Sequence, residues 1–172
     1  MTKTIAFAAC LGITAFTGCS DEADIGVEID PVGCMPNSPA GAVDGTLSVS
    51  NPNGTYTHSF GATTASVFTN TDTGGPMIQL SDSELFLRLD FRCGPAQRDK
   101  SYGVIGDGRQ QQLACPDELY GTILGQIEIL PAEAGVVIVD EGAPNSNCYA
   151  GRFHVDFGDA GDLTGWFSTP LQ

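Results

Sequence analysis

The stretch from Glu84 to Cys93 alternates between apolar and mostly charged side chains, and it constrains the fold more than any other part of the chain. The apolar positions are Leu85, Leu87, Leu89, Phe91 and Cys93. The intervening positions include Arg88, Asp90 and Arg92. Side chains of a β-strand alternate between the two faces of its sheet, so this period predicts a strand with one buried and one wet face. Burial stabilises by about 1.5–3 kcal/mol per large apolar side chain, so this strand forms much of the predicted core.

Shorter apolar or alternating segments, separated by turn residues, occur on both sides of this strand. They predict further strands at 46–50, 55–60, 65–69, 77–80, 120–130, 136–139, 148–157 and 162–169. Residues 94–112 are predicted to be a polar loop. About eight or nine short strands at this spacing predict an all-β domain over residues 42–172. An antiparallel β-sandwich of jelly-roll or immunoglobulin-like type is expected, with a small β-barrel as the alternative.

The first 18 residues have the pattern of a secretory signal peptide. Lys3 supplies a positive charge, and the apolar run from Ile5 to Phe16 is shorter than the about 20 residues that a membrane-spanning helix needs. The run ends in Phe16-Thr17-Gly18-Cys19, which resembles the lipobox of bacterial lipoproteins.

The lipobox resemblance implies a thioether-linked diacylglycerol on Cys19, often with an acylated amine such as a palmitoylated one, and attachment to the bacterial cell envelope. Ser20, rather than Asp, follows this cysteine. In this respect the segment resembles lipoproteins that are sent to the outer membrane. Lipid chains bury CH₂ groups at about 0.8 kcal/mol each, which is enough to hold an exported protein on a membrane. The alternative is an ordinary signal peptide cleaved near Ala15, which leaves Cys19 as a thiol.

Cysteine counting favours a modified Cys19. The chain has six cysteines, and removal of the signal together with acylation of Cys19 leaves Cys34, Cys93, Cys115 and Cys148. Four thiols can pair completely in an oxidising compartment, whereas a free Cys19 would leave one thiol over. Three pairings are possible, and nearness in sequence favours Cys93 with Cys115 and therefore Cys34 with Cys148.

Residues 19–41 are acidic at first and then rich in Pro and Gly, which is typical of a tether that cannot order itself. Because Cys34 lies within this segment, its later part is predicted to be fastened to the domain.

The charge of the chain excludes one class of partner. It carries 21 acidic residues against seven Lys and Arg, a formal net charge of −14. Such a chain is repelled by nucleic acid and by anionic lipid headgroups. Nucleic-acid binding is therefore not expected, and the membrane partner is expected to be reached through the lipid on Cys19.

Asp156, Asp159 and Asp162 cluster around a glycine-containing turn and are a weak calcium candidate, since hard cations need several converging oxygens. The alternative is a solvated turn, and no other metal or cofactor is expected. Asp72-Thr73-Gly74 matches the aspartic-protease triplet, but the chain holds no second copy. A turn is the better interpretation of that triplet.

The remaining candidates are the only tryptophan and the two histidines. If Leu163 and Phe167 face the core, Trp166 faces outward, where an aromatic ring can stack on a sugar or contact a protein. The alternative is that Trp166 packs in the core. His58 is interpreted as a core residue and His154, between Arg152 and Asp156, as a surface residue.

No motif points to a catalytic residue, so we expect a lipid-anchored envelope protein that acts as a non-enzymatic binding or structural module, with a protein or glycan as ligand. Two alternatives remain from the sequence. One is a secreted hydrolase that uses paired carboxylates. The other is a calcium-stabilised glycan-binding module.

Overall fold

The structure is a computed structural model that describes residues 30–35, 40–51, 53–71, 73–106, 113–125, 129–142 and 146–170. The described residues form an all-β structure, with one 3-10 turn at Gly158–Ala160. Within these ranges no helix has the length and apolar character needed to cross a membrane. The strands are β1 Ala40–Asn51, β2 Gly54–Ser59, β3 Ala62–Thr69, β4 Pro76–Ser81, β5 Phe86–Asp90, β6 Lys100–Gly106, β7 Glu118–Leu124, β8 Ile129–Pro131, β9 Ala134–Glu141, β10 Cys148–Asp156 and β11 Asp162–Pro170.

Nine strands close into a barrel in the order β1-β3-β4-β5-β7-β6-β9-β10-β11. The closing contact is the antiparallel pairing of β1 with β11, and β2 and β8 are extra strands attached to β1 and β7. All pairings are antiparallel except that of β6 with β7. The all-β class is thus confirmed, and the architecture is the small barrel expected as the alternative rather than the sandwich.

β1 changes its partners at Gly45. Up to Gly45 the strand pairs with β11 and, at Gly41 and Ala42, also with β3. From Thr46 onward it pairs with β2. Gly45 has φ +129, a region that L side chains rarely adopt. A Cβ there would also overlap the Asp162 carbonyl, so glycine is required at this position.

The barrel interior is filled by apolar side chains from every strand of the ring. The alternation predicted for 84–93 is found, with Leu87 and Leu89 fully buried on β5. On β10 the predicted inward residues Phe153 and Val155 are likewise fully buried, while Arg152 and His154 lie on the outer face. The interior is therefore a packed core.

The predicted hairpin over 46–60 is confirmed as β1 and β2, but two other predictions are wrong. The predicted polar loop 94–112 contains β6, whose Tyr102 and Val104 are buried. The predicted single strand 120–130 is two strands, β7 and β8, which fold back on each other.

Both favoured disulfides form. Cys93 pairs with Cys115 across 22 residues of sequence, and Cys34 pairs with Cys148 across 114. Cys148 is the first residue of β10, so the second bond joins the N-terminal segment directly to the barrel wall.

Candidate functional site

Residues 30–35, here called the strap, run over the outer face of β9, β10 and β11. The Val32 backbone N–H donates to Asp140 Oδ2 at 3.0 Å, and the Met35 N–H donates to Ser168 Oγ at 2.9 Å. Cys34 adds its disulfide to Cys148 between these two hydrogen bonds. Ser168 is completely buried although its side chain points outward, because the strap covers it.

A groove of about 450 Å³ lies between the strap and the barrel wall. Its lining comes from the strap, from the turn before β6, and from β6, β9 and β10, and consists of Pro31, Val32, Gly33, Arg98, Asp99, Ser101, Ile138, Asp140, Glu141 and Arg152. The lining contains both apolar and charged groups. Such a groove offers both hydrogen-bond donors and hydrogen-bond acceptors, together with apolar contact area.

The charges of the groove are arranged in pairs. Arg152 Nε lies 3.4 Å from Asp140 Oδ1, and an Arg98 terminal nitrogen lies 3.6 Å from Glu141 Oε1. Asp140 is skipped in the β9–β10 register, because Val139 pairs with Gly151 and Glu141 with Ala150. Next to this bulge, on the outer face of β9, the Asp140 carboxylate meets both the strap and Arg152.

Trp166 lies on the outer face of β11 and is partly buried, while Leu163 and Phe167 are fully buried inside. The sequence left the orientation of Trp166 open, and of its two alternatives the outward one is found. Its cross-strand neighbours are Ala42 on β1 and Arg152 on β10. Trp166 does not line the groove, but it lies one strand away from it, beside an arginine that does.

His58 belongs to an ionic cluster that the sequence did not indicate. Its Nε2 lies 2.6 Å from Asp82 Oδ2 and its Nδ1 lies 3.5 Å from Glu84 Oε2. The His58 side chain is only 10% exposed and makes edge contacts with the rings of Tyr56 and Phe60. His58 is thus a largely buried residue whose polar atoms are satisfied.

Asp82 is held in its charged form. Burial raises its pKa, but the backbone N–H groups of Leu85 and Glu84 and the His58 ring together lower the pKa below its ordinary value of 3.8. The two amides donate to Asp82 Oδ1 at 2.9 and 2.8 Å. Hydrogen bonds to an ionised carboxylate favour that form, so the cluster fastens β2 to the turn before β5.

A second unpredicted cluster lies on the outer face of β5. Asp90 is only 3% exposed, and its Oδ2 accepts from Arg88 at 3.1 Å and from Arg92 at 2.9 Å. The Arg92 guanidinium also lies over the Tyr120 ring, 4.6 Å from its centroid. The predicted outward orientation of Arg88 and Asp90 is correct, but the carboxylate is covered by its partners.

The three aspartates of the calcium candidate do not meet. The Asp156 carboxylate accepts from the Gly158 N–H at 2.7 Å, Asp159 is exposed, and Asp162 lies 3.4 Å from His154 Nε2. Among the described residues, no group of three or more His, Cys, Asp or Glu side chains is placed to hold a metal ion. The lipid-attachment candidate Cys19 and Asp72 of the protease-like triplet lie outside the described residues.

The fold and the strap define a class of molecule: a small, closed, disulfide-bonded β-barrel with an external groove. Comparison with protein-family models, with curated proteins and with solved structures gives no match for this chain.

Proposed function

We propose that this chain is an exported lipoprotein of the bacterial cell envelope, attached to the outer membrane through lipid on Cys19, and that it acts as a non-enzymatic binding module. The sequence supports the attachment through its signal pattern and the Phe16-Thr17-Gly18-Cys19 motif. The two disulfides support it as well, because they account for all four remaining cysteines and suit an oxidising compartment.

The groove beneath the strap is the observation that carries the binding role. Because apolar side chains fill the barrel interior, a ligand would meet the outer face. The groove offers two guanidinium groups, three carboxylates and the Ser101 hydroxyl around an apolar floor at Ile138. Glycans present hydroxyls that both donate and accept hydrogen bonds, and this mixed lining suits them. Trp166, one strand away, adds a ring on which a sugar can stack.

The absence of enzymatic activity is proposed from how the groove carboxylates are used. Asp140 accepts from the Val32 N–H and faces Arg152, while Glu141 and Asp99 both lie beside Arg98. An acid–base pair needs two carboxyl groups that are free to face the substrate. The groove carboxylates are instead engaged by guanidinium groups or by a backbone N–H, so this set favours binding over hydrolysis.

Replacement of the lipid-bearing cysteine tests the attachment. We expect Cys19→Ser to abolish labelling by a palmitate analogue and to release the protein from membranes into the soluble fraction. Cys10→Ser is the matched control, since it removes a cysteine of the same segment and should leave labelling and membrane retention unchanged. Membrane retention of Cys19→Ser would contradict the lipoprotein proposal.

The single tryptophan provides the test of binding. Trp166 emission can be followed while a panel of neutral and uronic-acid oligosaccharides is added to the protein. We expect at least one glycan to shift or quench the emission, with affinity reduced about tenfold in Arg152→Gln, which corresponds to one lost charged hydrogen bond. Arg88→Gln, on the distant face of β5, is the control. No response to any glycan of the panel would contradict glycan binding.

A further inference from the structure

One continuous stretch of this acidic chain carries no formal charge. Residues 45–71 contain no Asp, Glu, Lys or Arg, whereas the whole chain has a net charge of −14. This stretch forms the second half of β1, from residue 45 onward, and all of β2 and β3. The uncharged residues therefore lie together on one side of the molecule.

The second half of β1, from Thr46 to Asn51, pairs with β2 to form a two-stranded ribbon. One face of this ribbon is made of hydroxyl groups. Three cross-strand pairs are Ser or Thr on both sides, and all six residues are exposed: Thr46 with Ser59, Ser48 with Thr57, and Ser50 with Thr55. The opposite face is buried, with Leu47 at 0% and Val49 at 2% exposure. The ribbon is thus anchored on one face and presents a regular, neutral surface on the other.

The outer edge of β2, here called the open edge, has no strand paired to it among the described residues. There β2 pairs with β1 alone and ends the strand order. Alternate residues of an antiparallel strand direct their N–H and C=O groups away from the partner, so half of the β2 backbone groups face outward from this edge.

The residues of β2 themselves carry none of the usual features that blunt an edge. Exposed edges are commonly blunted by Lys, Pro or a bulge, yet Gly54–Ser59 contains neither residue and its register with β1 is unbroken. The extra strand β8 differs, because it has three residues and ends in Pro131. A strand of six residues without such devices is competent to pair with another strand.

We propose that the open edge of β2 pairs, antiparallel and two-fold symmetrically, with β2 of a second copy of this chain. Net charge limits where a second copy can bind: two chains of −14 repel each other over most of their surfaces, and the uncharged ribbon is where they can approach. The pairing joins the two ribbons into one four-stranded sheet and continues the hydroxyl face across both copies. Like surfaces meet at a two-fold axis, so a neutral edge suits self-pairing.

The edge is already in the conformation that pairing needs. Leu47 and Val49 hold β1 to the core, and the contact of His58 with Asp82 holds β2. Little ordering entropy is then lost on association. Six residues on each side make an interface below the about 1,200 Å² of stable complexes, so the dimer is reversible and depends on concentration.

Sedimentation equilibrium of the full chain tests this pairing. A Cys19→Ser background removes any lipid, so the result does not depend on the proposed membrane attachment. We expect the average mass to rise from monomer towards dimer with concentration, and more readily at high salt, which screens the repulsion between the acidic chains. Thr57→Lys places two like charges across the two-fold axis and should weaken the association about tenfold.

Ser48→Lys is the matched control, because Ser48 lies opposite Thr57 on the same face but one strand away from the edge. Its association should stay within about twofold of the parent, because exposed charges away from the edge interact weakly. If Thr57→Lys fails to fold, judged by its circular dichroism, Thr55→Lys replaces it. A mass that stays monomeric at all concentrations, or a dimer equally stable in both variants, would overturn the proposal and leave the edge to a strand of a different protein.

Discussion

Phe167 on β11 lies directly opposite Gly151 on β10, and its ring occupies the space that a side chain at Gly151 would need. A Cβ at Gly151 would come within 2.9 Å of Phe167 Cζ and would overlap the Ile138 carbonyl. Two residue pairs further along the ladder the arrangement repeats with the strands exchanged, because Phe153 on β10 lies opposite Gly165 on β11. The two large interior rings therefore fit because each faces a glycine on the neighbouring strand.

We expect Gly151→Ala to lower the free energy of unfolding by about 1–3 kcal/mol, since overpacking forces neighbours off their positions. The clash is partly with backbone, so a change of side-chain rotamer cannot relieve it. Gly61→Ala is the control, because a Cβ at Gly61 would have no atom within 4 Å. Urea unfolding of the two variants makes the comparison, and equal stabilities would contradict this account of the core.

The two disulfides should differ in their contributions to stability. Constraint of the unfolded chain grows with loop length, to about 3 kcal/mol for a short loop and about 4.7 kcal/mol for 100 residues. The Cys34–Cys148 bond spans 114 residues and the Cys93–Cys115 bond spans 22. Thermal unfolding of the paired variants Cys34→Ser/Cys148→Ser and Cys93→Ser/Cys115→Ser should show the larger loss for the first pair. The reverse order would show that local strain or packing dominates.

Asp82 should make stability depend on pH in the acid range. Its pKa is lowered in the folded protein, so the unfolded chain binds the proton more readily. The stability that the ionised Asp82 side chain contributes is therefore fully present above the ordinary pKa of 3.8. It is lost as the pH falls through 3.8 towards the lower folded value. We expect Asp82→Asn to be about 1–2 kcal/mol less stable than the parent at pH 7, with the gap closing below pH 4.

Urea unfolding between pH 7 and pH 3 measures the difference in the free energy of unfolding between Asp82→Asn and the parent protein. The exposed Asp159 supplies the control, since Asp159→Asn should differ from the parent by a small amount that hardly changes with pH. A gap for Asp82→Asn that stays constant into acid would mean that the charge of Asp82 contributes nothing to the fold.

Calcium should leave the unfolding temperature unchanged. Asp156 is engaged by the Gly158 N–H, and Asp162 lies beside His154, so the three aspartates do not converge as a hard cation requires. Differential scanning fluorimetry in calcium and in chelator should give the same midpoint. An increase in calcium that disappears in Asp159→Ala would instead establish the turn as a calcium site.

The sequence predicted those parts of the fold that depend on local alternation. β5, β10 and β11 each bury every second residue, and that pattern is visible along the chain whatever the partner strands are. Closure of the barrel is different, because it depends on β1 meeting β11 at the other end of the sequence. A sandwich and a barrel place the same demands on each strand, so the pattern could not separate them.

β6 was missed for a related reason. Lys100, Gly103 and Gly106 give it the composition of a loop, yet its pairing with β7 and β9 places Tyr102 and Val104 in the core. The site was hidden in the same way. The Asp140 carboxylate meets the backbone of Val32 in the strap, 108 residues away in the sequence, and no property of residue 140 alone indicates that contact. The orientation of Trp166 stayed open from the sequence, because it depends on whether the alternation along β11 is regular at that point.

The bond between Cys34 and Cys148 also determines how the molecule carries mechanical load. Any pull on the chain before Cys34 passes through the disulfide into the first residue of β10 and does not reach β1 through the backbone. β10 lies between β9 and β11, with nine residues paired to β11, so the force is shared by two ladders of hydrogen bonds. The load is thereby kept away from the pairing of β1 with β11 that closes the barrel.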